Sequence, residues 1–148
     1  MHEWFGATSV AVFVVCCAIL CVEMAACGVA TAVTRQKRNI WLNQEDAQRF
    51  SGKVVDIEHR DVARLLRLHR NLLENFVPFF ALGLLWVATG ASTRLGNALF
   101  VAFTFSRITH PVFYLARMGR LRTASFTVGF GVLVILAGGV VWHSHARP

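Results

Sequence analysis

Residues 61–89 read DVARLLRLHRNLLENFVPFFALGLLWVAT, and this stretch decides the fold. Its second half, Phe76 to Val87, is wholly apolar and has the character of a membrane segment. Its first half carries Arg67, Arg70, Asn71 and Glu74 at i, i+3, i+4 and i+7, one face of a helix. Arg64 extends that face by a turn. A helix of this length is about 43 Å long and exceeds the roughly 30 Å hydrocarbon core. It therefore projects past the bilayer and carries a polar stripe into it. Charges at that depth face a protein interior or a water-filled cavity, so the stripe is expected to line a binding site.

Outward from this helix the pattern repeats. Residues 8–33 form an apolar run whose single ionisable group is Glu23. The run is too long for a signal segment, and no basic stretch precedes it in the opening MHEWFG. Residues 98–116 and 123–142 complete a predicted set of four spans. The expected fold class is thus an all-α integral membrane protein, a single domain over residues 1–148. The turn at 88–97 is short and makes its flanking helices antiparallel neighbours. RMGRLR, 117–122, reads as a tight basic turn. Pro78 predicts a kink just beyond the polar stripe.

Composition agrees. Of 148 residues, 55% are hydrophobic and 16% charged, too apolar for an ordinary soluble domain. The net charge of +7 raises nucleic acid as a partner, but the basic residues lie in and beside apolar runs rather than in one exposed patch, so that reading is set aside. Cys16, Cys17, Cys21 and Cys27 fall in one apolar run with no zinc spacing, and read as small buried hydrophobes. No metal site is expected. His143 and His145 read as part of a short solvated tail. Gly129, Gly131, Gly138 and Gly139 permit close helix packing.

Residues 34–60 are polar and of mixed charge, a structured loop in which Asn43 caps a short helix opening with Glu45 and Asp46. Trp41 and Phe50 are expected at the membrane surface. The first and third loops hold nine Lys and Arg residues, against Arg94 and Arg147 on the other side. The positive-inside rule places those loops in the cytoplasm and both termini outside.

The polar groups expected at the cytoplasmic level are Arg35, Arg67, Arg70, Asn71, Glu74, Arg107, His110, Tyr114, Arg122 and Thr123. Arginines outnumber acids, so a fixed surplus of positive charge asks for an anionic ligand. Glu74 leaves room for an ammonium on the same ligand. Glutathione has two carboxylates, an ammonium and a thiol; composition does not select it over another small anion. A guanidinium or hydroxyl donor near the thiol lowers its pKa. Arg122 and Thr123 open the fourth helix on this reading, and its dipole adds in the same sense. Each residue also has a plainer account. Arg107 pairs with Glu23 or with a neighbouring helix, His69 lies about 200° from Arg67 and is structural, His110 bonds a backbone carbonyl, and Tyr114 is an interfacial aromatic.

The segment RLLRLHRNLLENFVPFF, 64–80, resembles the signature of the membrane-associated proteins in eicosanoid and glutathione metabolism, the MAPEG family. NQEDAQRF, SRITHPVFYL and LRTASFTVGFGV continue the likeness in order, over about residues 8–135. LENFVPF and SFTVGFGV look most like its microsomal glutathione transferase branch, and HRN and RITHPVFYL are shared with its prostaglandin E synthase branch. The resemblance implies four-helix subunits assembled as a homotrimer, with glutathione bound between neighbours. It puts glutathione contacts on Arg35, Arg67, Arg70, Asn71, Glu74, His110, Tyr114 and Arg122. Arg122 would stabilise the thiolate, with Thr123 and Asp46 as helpers. Phe126 and Glu23 depart from the synthase pattern, which has a tyrosine and a lysine there. The implied activity is a glutathione transferase or peroxidase acting on a hydrophobic small-molecule electrophile drawn from membrane lipid. A prostaglandin-type isomerase, a non-catalytic lipid binder and an exporter coupled through Glu23 are the rivals. The expected location is the endoplasmic reticulum membrane of a eukaryote or the inner membrane of a bacterium.

Overall fold

The computed structural model describes residues 7–145. The opening MHEWFG and Arg147 lie outside them. The described chain runs α1 (Ala7–Arg38), β1 (Ile40–Trp41), α2 (Gln44–Arg49), β2 (Lys53–Val54), α3 (Arg60–Ala88), α4 (Thr93–Leu115) and α5 (Gly119–His145). Among the described residues four helices, α1, α3, α4 and α5, are long and apolar enough to cross a membrane. In lipid a helix satisfies its own backbone, which is why such runs take this form.

Four boundaries differ clearly from expectation. α1 continues five residues past 33, because Arg35, Lys37 and Arg38 in its last turn complement the helix dipole. It stops where Asn39 takes a left-handed φ of 53°. α4 starts at Thr93 rather than 98, since the Ser92 side chain accepts from the Leu95 amide (3.4 Å) and caps the helix. Gly96, read as a turn residue, instead lets α4 approach Trp86; a Cβ there would lie 2.5 Å from the indole nitrogen. α5 starts at Gly119, because Arg117 alone, at φ 62°, turns the chain. Arg122 and Thr123 thus lie one turn inside α5 and do not open it. At the far end α5 runs to His145, so His143 is a half-buried helix residue with its ring 5.8 Å from that of Trp86, not part of a solvated tail. α3 passes through Pro78 as one helix.

The chain divides into two compact units, residues 23–73 and, among those described, residues 7–22 with 74–145. The larger unit has an aromatic core. Phe79 stacks on Phe103 with centroids 4.1 Å apart and meets Phe100 edge-on at 5.9 Å and Phe13 at 5.8 Å. Phe76, Phe79, Phe100 and Phe103 have no exposed surface. In a bilayer helix association rests on such dispersion contacts rather than on escape from water.

The smaller unit contains the loop. β1 and β2 pair in parallel, Ile40 with Lys53 and Trp41 with Val54, and α2 makes the crossover. Trp41 is buried in the loop and stacks on Phe50 at 4.7 Å, so it forms a small core there. Gly52 leaves the room that the Trp41 ring fills. Asn43 holds the cap position of α2, but its side chain does not cap; its amide instead donates to Asp46 Oδ2 at 3.3 Å. Two ion pairs and a Cys27 Sγ–Leu65 carbonyl contact of 3.7 Å tie α1 to the start of α3 and the residues just before it. Cys16 and Cys27 are buried as expected, whereas Cys21 is exposed.

Removing the Phe79 ring empties the centre of the aromatic cluster. Phe79→Ala is expected to cost about 3 kcal/mol in thermal unfolding in detergent. Phe105→Ala, at a ring already 68% exposed, should stay within about 0.5 kcal/mol.

Candidate functional site

α4 and α5 bring together one polar cluster. Arg107, His110 and Tyr114 recur on one face of α4 at i, i+3 and i+7. Arg107 is wholly buried. Its Nη2 donates to the carbonyls of Phe126 (3.0 Å) and Ser125 (3.5 Å) on α5. The guanidinium also lies over the rings of Phe103 (5.3 Å) and Phe126 (5.5 Å). Gly129 makes this possible, since a Cβ there would run into the guanidinium. Bonding of Arg107 to a neighbouring helix, one of its plainer accounts, is thus present.

Ser125, not singled out in the sequence, joins this latch to the predicted residues. Its hydroxyl donates to the Arg122 carbonyl at 3.0 Å and lies 3.4 Å from His110 Nδ1. The rings of His110 and Tyr114 are nearly parallel, at 17° and 6.4 Å. The Arg122 guanidinium carbon sits 5.9 Å from the Tyr114 ring centre, a cation–π contact. Three of the predicted residues, His110, Tyr114 and Arg122, thus meet in one place. His110 is buried, Tyr114 half-buried and Arg122 exposed, so the cluster runs from interior to surface.

Arg122 and Thr123 also line an open groove of about 740 Å³ on α5, with Arg120, Thr127 and Val128. The Thr123 hydroxyl donates to the Gly119 carbonyl at 3.1 Å. The Arg122 amide is already bonded to the Met118 carbonyl at 3.0 Å. Arg122 therefore presents no free helix-end amide, and the positive charge at this position is that of its side chain. A second groove of about 520 Å³, lined by apolar residues of α1 and α4 such as Val15, Cys16, Ile19, Phe105 and Ile108, lies in the spanning region.

On α3, Arg67, Arg70 and Glu74 are exposed and Asn71 is half-buried. Their i, i+3, i+4, i+7 spacing leaves them off the face that buries Leu68, Leu72 and Phe76. In the smaller unit Arg35 bonds Glu58 through Nε (2.7 Å) and Nη2 (2.5 Å), and Arg38 bonds Asp61 at 2.5 Å. Asp46 is half-buried on α2. His69 is half-buried. Among the described residues no group of three His, Cys, Asp or Glu could hold a metal ion.

The MAPEG family model matches residues 13–142. This chain belongs to the MAPEG family. The fold class is accordingly all-α and integral to the membrane, the four-helix bundle of that family. Among MAPEG relatives, Prostaglandin E synthase of Equus caballus is 32% identical over 133 residues, 89% of this chain and 87% of that protein. Its counterpart in Bos taurus is 31% identical over the same length. Microsomal glutathione S-transferase 1 of Homo sapiens is 34% identical over 125 residues, 80% of each chain.

Sequence reasoning singled out neither Glu58 nor Ser125 as a contact of the expected site residues. The signal for Glu58 was present: Glu58 and Asp61 are spaced i, i+3, as are Arg35 and Arg38. Ser125 had no signal, because its role comes from a fold contact with His110.

The latch predicts its own weak point. Gly129→Ala should displace the Arg107 guanidinium and cost about 1–3 kcal/mol in thermal unfolding. Gly131→Ala meets open space and should unfold like the parent. Equal unfolding of the two variants would contradict the latch.

Proposed function

We propose that this MAPEG chain is a glutathione-dependent transferase with peroxidase capacity, acting on apolar electrophiles dissolved in the membrane. The observation that carries the reading is the meeting of Arg122, Tyr114 and His110 on a scaffold otherwise built of apolar helices. The name of Microsomal glutathione S-transferase 1 supports glutathione as the thiol, and the relatives cited all bear the names of enzymes. The residue types suit such a ligand. Arg35, Arg67 and Arg70 supply forks for two carboxylates, and Glu74 with Asn71 supplies acceptors for an ammonium.

Bound glutathione supplies the nucleophilic sulfur. The Arg122 side chain holds negative charge at that sulfur, and Tyr114 braces the guanidinium from its other side. Thr123, beside Arg122 in the same groove, would serve the reacting group by turning its hydroxyl away from the Gly119 carbonyl. Asp46, on the loop helix, is a helper of proton movement. The apolar groove on α1 and α4 is a place where a lipid-borne electrophile would rest.

The exposed charges of α3 bear on assembly. Arg67, Arg70 and Glu74 lie within a spanning helix and are exposed in the single chain. Charge at that depth is costly unless protein or water covers it, which supports an assembly that shields this face; the family resemblance makes that assembly a homotrimer. The excess of Lys and Arg puts the first and third loops in the cytoplasm, from which glutathione enters. The compartment is the endoplasmic reticulum membrane in a eukaryote or the inner membrane in a bacterium.

Isomerisation of a prostaglandin-type peroxide is the second reading, favoured by the name Prostaglandin E synthase. Phe126 speaks against it, as it lacks the hydroxyl that the synthase pattern carries at this place. Product analysis with an endoperoxide and with a chloronitrobenzene separates the two.

Steady-state kinetics on Arg122→Ala test the assigned role. Turnover of a chloronitrobenzene should fall about 100-fold or more, as when one preorganised charge donor is lost. The dissociation constant for glutathione should move by less than about tenfold, since other arginines hold its carboxylates. Unchanged turnover would remove Arg122 from the chemistry.

A further inference from the structure

Arg35 closes α1, and both its Nε and its Nη2 donate to a single oxygen, Oε1 of Glu58. Three residues further along each segment, Arg38 bonds Asp61. Two arginine–acid pairs at matching spacing thus lace the end of α1 to the first turn of α3 and the residues just before it. The pairs differ in burial. The side chains of Arg35 and Glu58 are 30% and 15% exposed, those of Arg38 and Asp61 52% and 37%. The second pair is an ordinary surface pair of small value. The first is partly shielded, and removal of either partner leaves the other charge poorly compensated.

A guanidinium has two hydrogen-bonding edges. Glu58 takes the Nε edge of Arg35. That leaves Nη1 and the outer N–H of Nη2, which together form a fork for a carboxylate. Arginine has a long and mobile side chain, and a ligand that binds it must first order it. An arginine already clasped on one edge presents its other edge ready-made.

We propose that Glu58 is a positioning residue: it holds Arg35 so that the open edge of the guanidinium receives a carboxylate of the bound thiol ligand. This rests on the glutathione reading given above. Charge alone predicts the opposite sign. Neutralising Glu58 removes a negative charge beside an anion site, which by attraction would tighten binding. Loss of orientation weakens binding instead. The direction of the change therefore discriminates between the two.

The test is calorimetric titration of glutathione into the full chain in detergent, with steady-state kinetics alongside. Glu58→Gln keeps the shape and removes the charge; it should raise the dissociation constant about tenfold, and the loss should fall on KM for glutathione rather than on kcat. Glu58→Asp should recover part of the loss. Asp61→Asn opens the neighbouring pair and should stay within about twofold of the parent, because an exposed pair contributes little. In an Arg35→Gln background, Glu58→Gln should add nothing, the signature of one shared interaction. Unchanged or tighter binding in Glu58→Gln overturns the positioning role. So does an equal loss in Asp61→Asn, or a full additive loss in the Arg35→Gln background. A parent protein that binds no glutathione removes the functional reading and this role with it. A parent that binds, beside an unaffected Glu58→Gln, removes this role alone.

Discussion

The guanidinium of Arg107 is the constraint on which the candidate site depends. It is a full charge with no exposed surface, inside a helix that crosses the membrane. Such a charge is tolerated only where fixed dipoles surround it. Two carbonyls of α5 and the faces of two phenylalanines do so here. The carbonyls belong to Ser125 and Phe126, one turn after Arg122. Ser125 then reaches both the Arg122 backbone and the His110 ring. Where α5 lies against α4 is thereby set at the one point where Arg122 meets Tyr114. A glycine at 129 is the sequence requirement for it, because any side chain would occupy the space of the guanidinium.

The smaller unit solves a different problem. Its loop is polar and cannot fold by burying an apolar face in lipid. It uses one stacked aromatic pair, Trp41 on Phe50, two short parallel strands and two ion pairs to the end of α1. This gives Arg35 and Asp46 defined places on a segment that the sequence marks only as structured. The exposed stripe of α3 is the feature on which the proposed assembly rests. A helix that buries Leu68, Leu72 and Phe76 on one face and exposes Arg67, Arg70 and Glu74 on another asks for a second surface.

The four spans were legible because hydropathy and helical length are matched by the bilayer, and the arginine stripe because helical spacing is a local property. The helix ends were less so. Gly96 and Gly119 look like turn residues in sequence, yet one serves packing against Trp86 and the other lies in a helix whose reversal Arg117 performs. That shift also removes the expected helix-end contribution: Arg122 does not stand at a free helix end, because its amide is bonded to the Met118 carbonyl. The His110, Tyr114 and Arg122 grouping was anticipated from α4 spacing and the resemblance together. The Ser125 bridge and the Glu58 clasp are contacts between segments far apart in sequence, and no local pattern announces the first of them.

The central claim is that this scaffold ionises a bound thiol. The most direct test is ultraviolet difference absorbance at the thiolate band as glutathione is added to the purified protein in detergent at neutral pH. The account predicts a saturable signal that Arg122→Ala abolishes while binding persists. Binding without that signal, in a protein with Arg122 intact, would contradict it.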